Sequence, residues 1–204
     1  MKNKYYDDLS IDVKNKKTSD TKNLIVLCHT HRNLNDYLSS IKYRYNGYYD
    51  KIPNYVIGLD GGIYKILDKY DYTNFLDDET LNKRSIIVIL ENLGWLNKEP
   101  LSNSYINWIG DIYNGIVFDR KWRDYFFWHK YTNEQIISAG ILCNKLLKDC
   151  NIKKNIIGHN TKINGIEKIE GVISRSNIFS ECTDLNPSFD FDFMLKTMED
   201  EQLS

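Results

Sequence analysis

Leu24-Ile25-Val26-Leu27-Cys28-His29 is an apolar run that ends in a histidine and gives way to the polar Thr30-His31-Arg32-Asn33. A run without polar alternation is a strand covered on both faces, so it belongs inside a flanked sheet and delivers its last side chains to the sheet rim. Ser85–Leu90 (SIIVIL) has the same character. Between them Leu34, Leu38, Ile41 and Tyr45 recur at helical spacing, which predicts a helix within Asn33–Tyr45. YVIGL and IYKIL flank Asp60-Gly61-Gly62, a turn able to supply the positive φ of a hairpin across Tyr55–Leu67. Further on, Thr132 and Gln135 have capping-box spacing at the head of a helix whose buried stripe is Ile136, Ile137, Ile141, Leu142, Leu146 and Leu147. Asn155–His159 (NIIGH) reads as a short strand ending in histidine, and Pro187 breaks the chain before a last short helix. Strands separated by helices imply an α/β or α+β fold, a sheet with helices on its faces.

The 204 residues, 42% of them hydrophobic, suffice for one domain with its own core. Residues 1–23 are polar and charged and are expected to form a flexible or extended arm that packs through Tyr5, Tyr6 and Ile11. Residues 24–204 make the folded domain, within which the aromatic-rich stretch 97–128 reads as an irregular packed insertion. No apolar run approaches the roughly 20 residues of a membrane helix, and the first 23 residues lack the apolar centre of a signal peptide. A net charge of −1 provides no field for nucleic acid or an anionic membrane, so neither is an expected partner. Cys28, Cys143, Cys150 and Cys182 have no framework spacing and read as reduced thiols or isolated ligands. The single alanine, Ala139, among many Ile, Asn, Lys and Tyr is the skew of an AT-rich genome, as in many phages and some bacteria.

Histidines at strand ends are candidate zinc ligands, because catalytic zinc sites combine neutral imidazoles with a carboxylate or thiolate around an open position. His29 and His159 both close predicted strands, and Asp184 lies in the Pro-containing loop TDLNPSFDF. His31 and His129 sit in polar or aromatic surroundings and carry less weight.

Taken in order, IVLCHT, a helix, PNYVIGLDGGIYKI, SIIVILEN, the capped helix TNEQIISAGILCNKLL, IIGH and TDLNPSFDF resemble the zinc-dependent N-acetylmuramoyl-L-alanine amidases related to peptidoglycan-recognition proteins and phage lysozyme-type amidases. The resemblance covers roughly residues 24–195. It implies a central mixed sheet flanked by helices, a Zn²⁺ cofactor, and cleavage of the amide between muramic acid and L-alanine in peptidoglycan or a muropeptide.

Carried over by residue, the resemblance implies His29, His159 and Asp184 as metal ligands. The gapless match sets Cys28 at the first position and a one-residue slip sets His29 there; the two point to opposite faces of a strand. His29 is favoured, because a bulge at a strand end re-aims a side chain at low cost. A rival alignment makes Ser174-Arg175-Ser176-Asn177-Ile178 the counterpart of the family's Gly-His-Ser-Asp-Ile, which exchanges the second ligand for an arginine that cannot coordinate zinc. The family's in-strand glutamate falls at Ile89, which leaves Glu91, two residues on, as the candidate base. A lysine two before the aspartate ligand is Cys182, and the tyrosine or histidine before the second strand falls at Pro53 or Asn54, of which Asn54 could donate to a developing oxyanion. Trp95, Trp108 and Trp122 are candidates to stack on sugar faces, with core or interface packing the stronger expectation.

Two functions follow. The first is a zinc-dependent peptidoglycan amidase acting on the cell wall, from the cytoplasm of a host or from a virion. The second is a catalytically silent module of the same fold, a cell-wall-binding component or one that joins other virion proteins.

Overall fold

The structure, a computed structural model, describes residues 5–6, 11, 13–158 and 162–200. In chain order the strands are β1 Tyr5–Tyr6, β2 Lys17–Thr18, β3 Leu24–His29, β4 Tyr55–Ile57, β5 Ile63–Lys65, β6 Asp71–Tyr72, β7 Ser85–Leu90, β8 Trp95–Lys98, β9 Tyr105–Ile106, β10 Ile112–Tyr113, β11 Val117–Trp122, β12 Tyr125–His129 and β13 Gly171–Ser174. The helices are α1 Leu34–Tyr43, α2 Glu79–Arg84, α3 Asn133–Asp149 and α4 Phe191–Asp200.

Six strands form the central sheet in the order β1-β5-β4-β7-β3-β13. β4, β7, β3 and β13 are mutually parallel, β5 returns antiparallel beside β4, and β1 adds parallel to β5. This is the expected mixed sheet with helices on its faces. Every residue of β3 and β7 is buried, because both faces of both strands are covered. Strand parity divides the core: Ile25, Leu27, Ile86, Val88 and Leu90 pack with Ala139, Leu142, Leu146 and Met194 of α3 and α4. Val26, Cys28, Ile87 and Ile89 face the opposite way, with Ile41 of α1 and Leu76. Cys28 therefore lies in the core on the α1 side, and His29 emerges with the α3 side.

α1 starts where Asn33 accepts a hydrogen bond from Asp36 N, and α3 starts with the full Thr132–Gln135 capping box. The β4–β5 hairpin turns through Gly61 at φ 77°, where a Cβ would lie 2.8 Å from Glu134 O. Glycine is required there by both conformation and close approach. Of the N-terminal arm, Tyr5–Tyr6 pairs with the sheet edge and Lys17–Thr18 pairs with β6, so these segments are extended.

Two expectations differ from what is observed. The aromatic stretch is not irregular: β8–β12 form a second, five-stranded antiparallel sheet ordered β10-β9-β8-β12-β11. Its strands are short and only partly buried, so period-two alternation never runs long enough to be read from sequence. Among its described residues NIIGH supplies an isolated bridge, Ile156 to Val172, and the strand that joins β3 is β13, which ends at Ser174 beside Arg175.

Candidate functional site

Parallel pairing brings the C-terminal ends of β3, β7 and β13 to one rim. There His29 Nε2 lies 2.8 Å from Asp184 Oδ1 and 3.0 Å from His31 Nε2, and His31 Nε2 lies 3.7 Å from the same carboxylate oxygen. These three residues can present one ligand atom each within 4.8 Å of one another. Zinc bonds of about 2.0–2.1 Å in a tetrahedral site place ligand atoms about 3.3 Å apart, and the three separations bracket that value. Two imidazoles and a carboxylate are also the right donor chemistry, so the residues fit a zinc ion.

Each member is held by neighbours. His29 Nδ1 is 3.1 Å from the Tyr131 hydroxyl, which sets the ring and leaves Nε2 toward Asp184 and His31. His31 shares the strand parity of His29, and a φ of 56° curls its ring edge-on against His29, with centroids 4.1 Å apart. Gly94 backs both rings: a Cβ there would lie 2.9 Å from His31 Nδ1 and 3.4 Å from His29 Nε2. Trp108 Nε1 donates to His31 O at 2.6 Å, tying the second sheet to the rim. Burial and the adjacent His29 lower the His31 pKa to about 3, so it is neutral and able to coordinate.

Asp184 is fully buried and has two distinct oxygens. Oδ1 faces the histidines and Oδ2 accepts from Arg175 Nε. Burial alone would raise this carboxyl, yet Arg175 and His29 hold it well below the usual carboxylate range. Its loop is anchored by a buried polar network: His129 O accepts from Asn92 Nδ2, Asn186 Nδ2 and Ser188 Oγ at 3.0, 3.1 and 3.3 Å. Asn92 is far from Asn186 and Ser188 in the chain, so this network exists only once the fold brings them to His129.

The predicted site residues divide accordingly. His29 and Asp184 meet. His31, given less weight in sequence, joins them; the His-x-His spacing was its signal, because residues i and i+2 of a strand share a face. His159 lies outside the described residues. Arg175, the residue of the rival alignment, follows β13 and contacts Asp184 directly. Glu91 is spent elsewhere: Oε1 accepts from Leu34 N at 2.9 Å and Oε2 from Leu59 N at 3.0 Å, stapling the start of α1 to the β4–β5 turn. Asn54 is likewise engaged at both ends, donating to Asp68 O and Asp71 O and accepting from Ile87 N. Trp95 stacks on Tyr125 and Trp122 packs against Trp128, whereas Trp108 is substantially exposed beside the cluster.

Residues 18–170 match the family described as N-acetylmuramoyl-L-alanine amidase. The chain belongs to this amidase family. The match ends before Arg175 and Asp184, so those two rim residues rest on geometry alone. Solved amidase-family folds are similar in architecture. The N-acetylmuramyl-L-alanine amidase AmiD from E. coli, solved with anhydro-N-acetylmuramic acid-L-Ala-D-gamma-Glu-L-Lys, is 14% identical with a TM-score of 0.57, over 94% of this chain and 60% of AmiD. The amidase LysC from Clostridium intestinale is 15% identical with a TM-score of 0.50, over 90% of each chain. The ectodomain of the Drosophila transmembrane receptor PGRP-LCa is 10% identical with a TM-score of 0.52, over 88% of this chain and 87% of the ectodomain. At these identities the likeness is one of fold, and the amidase-family chain here spans about three fifths of the AmiD length. No curated protein matches it in sequence. Among the described residues no helix is long and apolar enough to cross a membrane.

Proposed function

We propose that this chain is a zinc-dependent peptidoglycan amidase that cleaves the amide between N-acetylmuramic acid and L-alanine in the cell wall or in soluble muropeptides. The observation that carries the reading is the convergence of His29, His31 and Asp184 at the rim of the amidase-family sheet. In this proposal His29, His31 and Asp184 hold the ion, with His31 in the role that sequence reading assigned to His159. Bound zinc supplies an activated water near neutral pH and a Lewis acid for the scissile carbonyl. The protein's own part is orientation. Tyr131 fixes the His29 ring, Arg175 turns Asp184 so that Oδ1 faces the histidines, and Gly94 leaves room behind both rings. Arg175 also provides a fixed positive charge near the rim, where Cys182, whose thiol burial pushes up, provides none. Such a charge favours developing negative charge on an amide oxygen.

Metal analysis tests this directly. The purified protein should carry one zinc per chain, lost in His31→Ala and retained in His159→Ala, and should release soluble peptide from purified peptidoglycan. A folded protein that takes up no zinc would refute it.

Specific observations favour a second reading, a silent wall-binding or virion component. The Glu91 carboxylate and the Asn54 carboxamide are both engaged by backbone, and Arg175 presses a cation onto the ligand carboxylate. A proton-transfer group normally contributes about 10²- to 10⁴-fold in rate. Zinc uptake with peptidoglycan binding but no peptide release would favour this alternative.

A further inference from the structure

The basic side chains around α1 are held in two ways. Lys16, Lys17 and Lys51 meet Asp71, Glu79 and Asp77. Lys14, Arg32, Lys42 and Arg44 meet no carboxylate among the described residues, and each is held over an aromatic ring instead. Lys14 Nζ lies 4.5 Å from the centroid of Tyr48, and Lys42 Nζ lies 5.2 Å from that of Tyr43. The Arg32 guanidinium lies 5.8 Å from Trp108, and that of Arg44 lies 5.0 Å from both Tyr45 and Tyr49. A ring fixes a cation in place without cancelling its charge.

These positions are joined. A cavity of about 570 Å³ is lined by Arg32, Ser39, Ser40, Tyr43, Arg44 and Trp108. Beyond α1 the chain turns through Tyr45 and Asn46 at φ 51° and 55°, and Tyr48 N donates to Tyr45 O at 3.0 Å, which brings Tyr48 and Lys14 to the same turn. Tyr43, Tyr45 and Tyr48 are 67%, 65% and 58% exposed, so the rings and their cations face solvent. The acid of the cavity lining, Asp36, accepts from Asn33 Nδ2 at 2.6 Å at the head of α1, and the two guanidiniums outnumber it. A chain of net charge −1 thus concentrates uncompensated positive charge on one aromatic face.

The chemistry of that face defines its ligand. Guanidinium forks match the oxygens of phosphate, serine hydroxyls match polyol hydroxyls, and ring surfaces pack on C–H groups. Four cations spread over one face suit a repeating anion rather than a single ion. We infer that this face binds a phosphodiester-linked polyol chain, an anionic polymer of the cell wall, and so holds the protein on the wall. The placement on a wall rests on the amidase reading, whereas the preference for phosphate rests on the face itself. Nucleic acid is the poorer fit, because the whole chain supplies no long-range attraction and each ring already holds a cation on one face.

The test is titration calorimetry of the full chain with poly(glycerol phosphate), between about 50 and about 200 mM salt. Binding should weaken as salt rises. The double variant Lys42→Gln, Arg44→Gln, made at exposed positions, should lose about five- to tenfold in affinity at the lower salt. Its slope of log K against log salt should fall by about 0.7 for each cation removed, the value for single-stranded polyanions. If that variant does not fold, Lys14→Gln, on a separate segment, should lower the slope by one such step. Lys153→Gln, whose lysine is paired with Glu170, should leave the affinity as it is. A single-stranded DNA oligomer of equal charge should bind more weakly than the polyol phosphate. No binding of poly(glycerol phosphate), binding indifferent to salt, an unchanged slope in the folded variants, an equal loss in Lys153→Gln, or DNA bound as tightly would overturn the inference. Zinc uptake and peptide release from peptidoglycan are scored separately. Peptide release without polymer binding refutes this face alone, and polymer binding without zinc uptake refutes the amidase reading alone.

Discussion

The central sheet and the β8–β12 sheet are built on opposite principles. In the first, β3 and β7 are buried along their whole length, and β3 ends in a buried histidine that meets the buried Asp184 of a neighbouring loop. In the second, strands β9–β11 are half-buried or exposed, and Ile112 and Ile116 are 66% and 70% exposed. The first sheet can hold polar ligands rigidly because every neighbour is packed. The second reaches the same rim through the Trp108 hydrogen bond to His31 O and through the His129 carbonyl at the end of β12, which anchors the Asp184 loop, while its outer strands present side chains to solvent. Precision at the site therefore comes from the buried sheet, while the surface around the site comes from the exposed one.

The sharpest way to break this contrast is at the Asp184–Arg175 pair. Removing one partner of a buried ion pair costs about 3–5 kcal/mol. Asp184→Asn and Arg175→Met should each lower stability in urea unfolding by that order, and the double variant should lose less than the sum. Additive losses would mean that the two groups do not act together. Next, Leu27→Ala in the middle of β3 should cost about 2–5 kcal/mol, the range for a buried leucine.

Acid should weaken the rim before it weakens the rest. The His129 pKa is lowered to about 4, so the folded state disfavours protonation relative to the unfolded chain. Its stabilising contribution is complete above the unfolded value of about 6.5 and is lost as pH falls from there toward about 4. His31, also lowered, acts in the same direction, and Asp184, whose folded value is depressed, begins to withdraw its contribution below about 4. His129→Gln should flatten the limb between pH 6.5 and 4, and an unchanged profile in that variant would rule out its part.

Gly94→Ala, which sets a methyl group against both histidine rings, should lower zinc affinity by about 10- to 100-fold. Its stability should change less than that of Leu27→Ala. The smallest effect is expected in the second sheet, where Ile112→Ala should stay within about 0.5 kcal/mol. A loss comparable to Leu27→Ala would show that this face is covered in solution.

Several features were legible in the residues because they depend on local chemistry. The apolar runs of β3 and β7, the glycine turn at Gly61, and the Thr132–Gln135 cap each encode their element within a few positions. So does the parity that separates Cys28 from His29. The site was half legible: His29 and Asp184 were expected, and they meet. Glu91 has the charge of a base but lies two residues past the position the resemblance implies, and it serves as an acceptor for two backbone amides, which nothing local to Glu91 reveals.

The order and type of the main elements, and the candidate ligands at the strand end and in the Pro187 loop, follow from sequence alone, because burial pattern, capping and turn chemistry act over short distances. Tertiary structure alone decided which side chains converge. His31 joins His29 through a left-handed backbone turn, Arg175 arrives just past the end of β13, far along the chain from His29, and Asp184 is brought in by a loop anchored on Asn92, Asn186 and His129. Those contacts are non-local and depend on parallel pairing of distant strands, which no short window of residues contains.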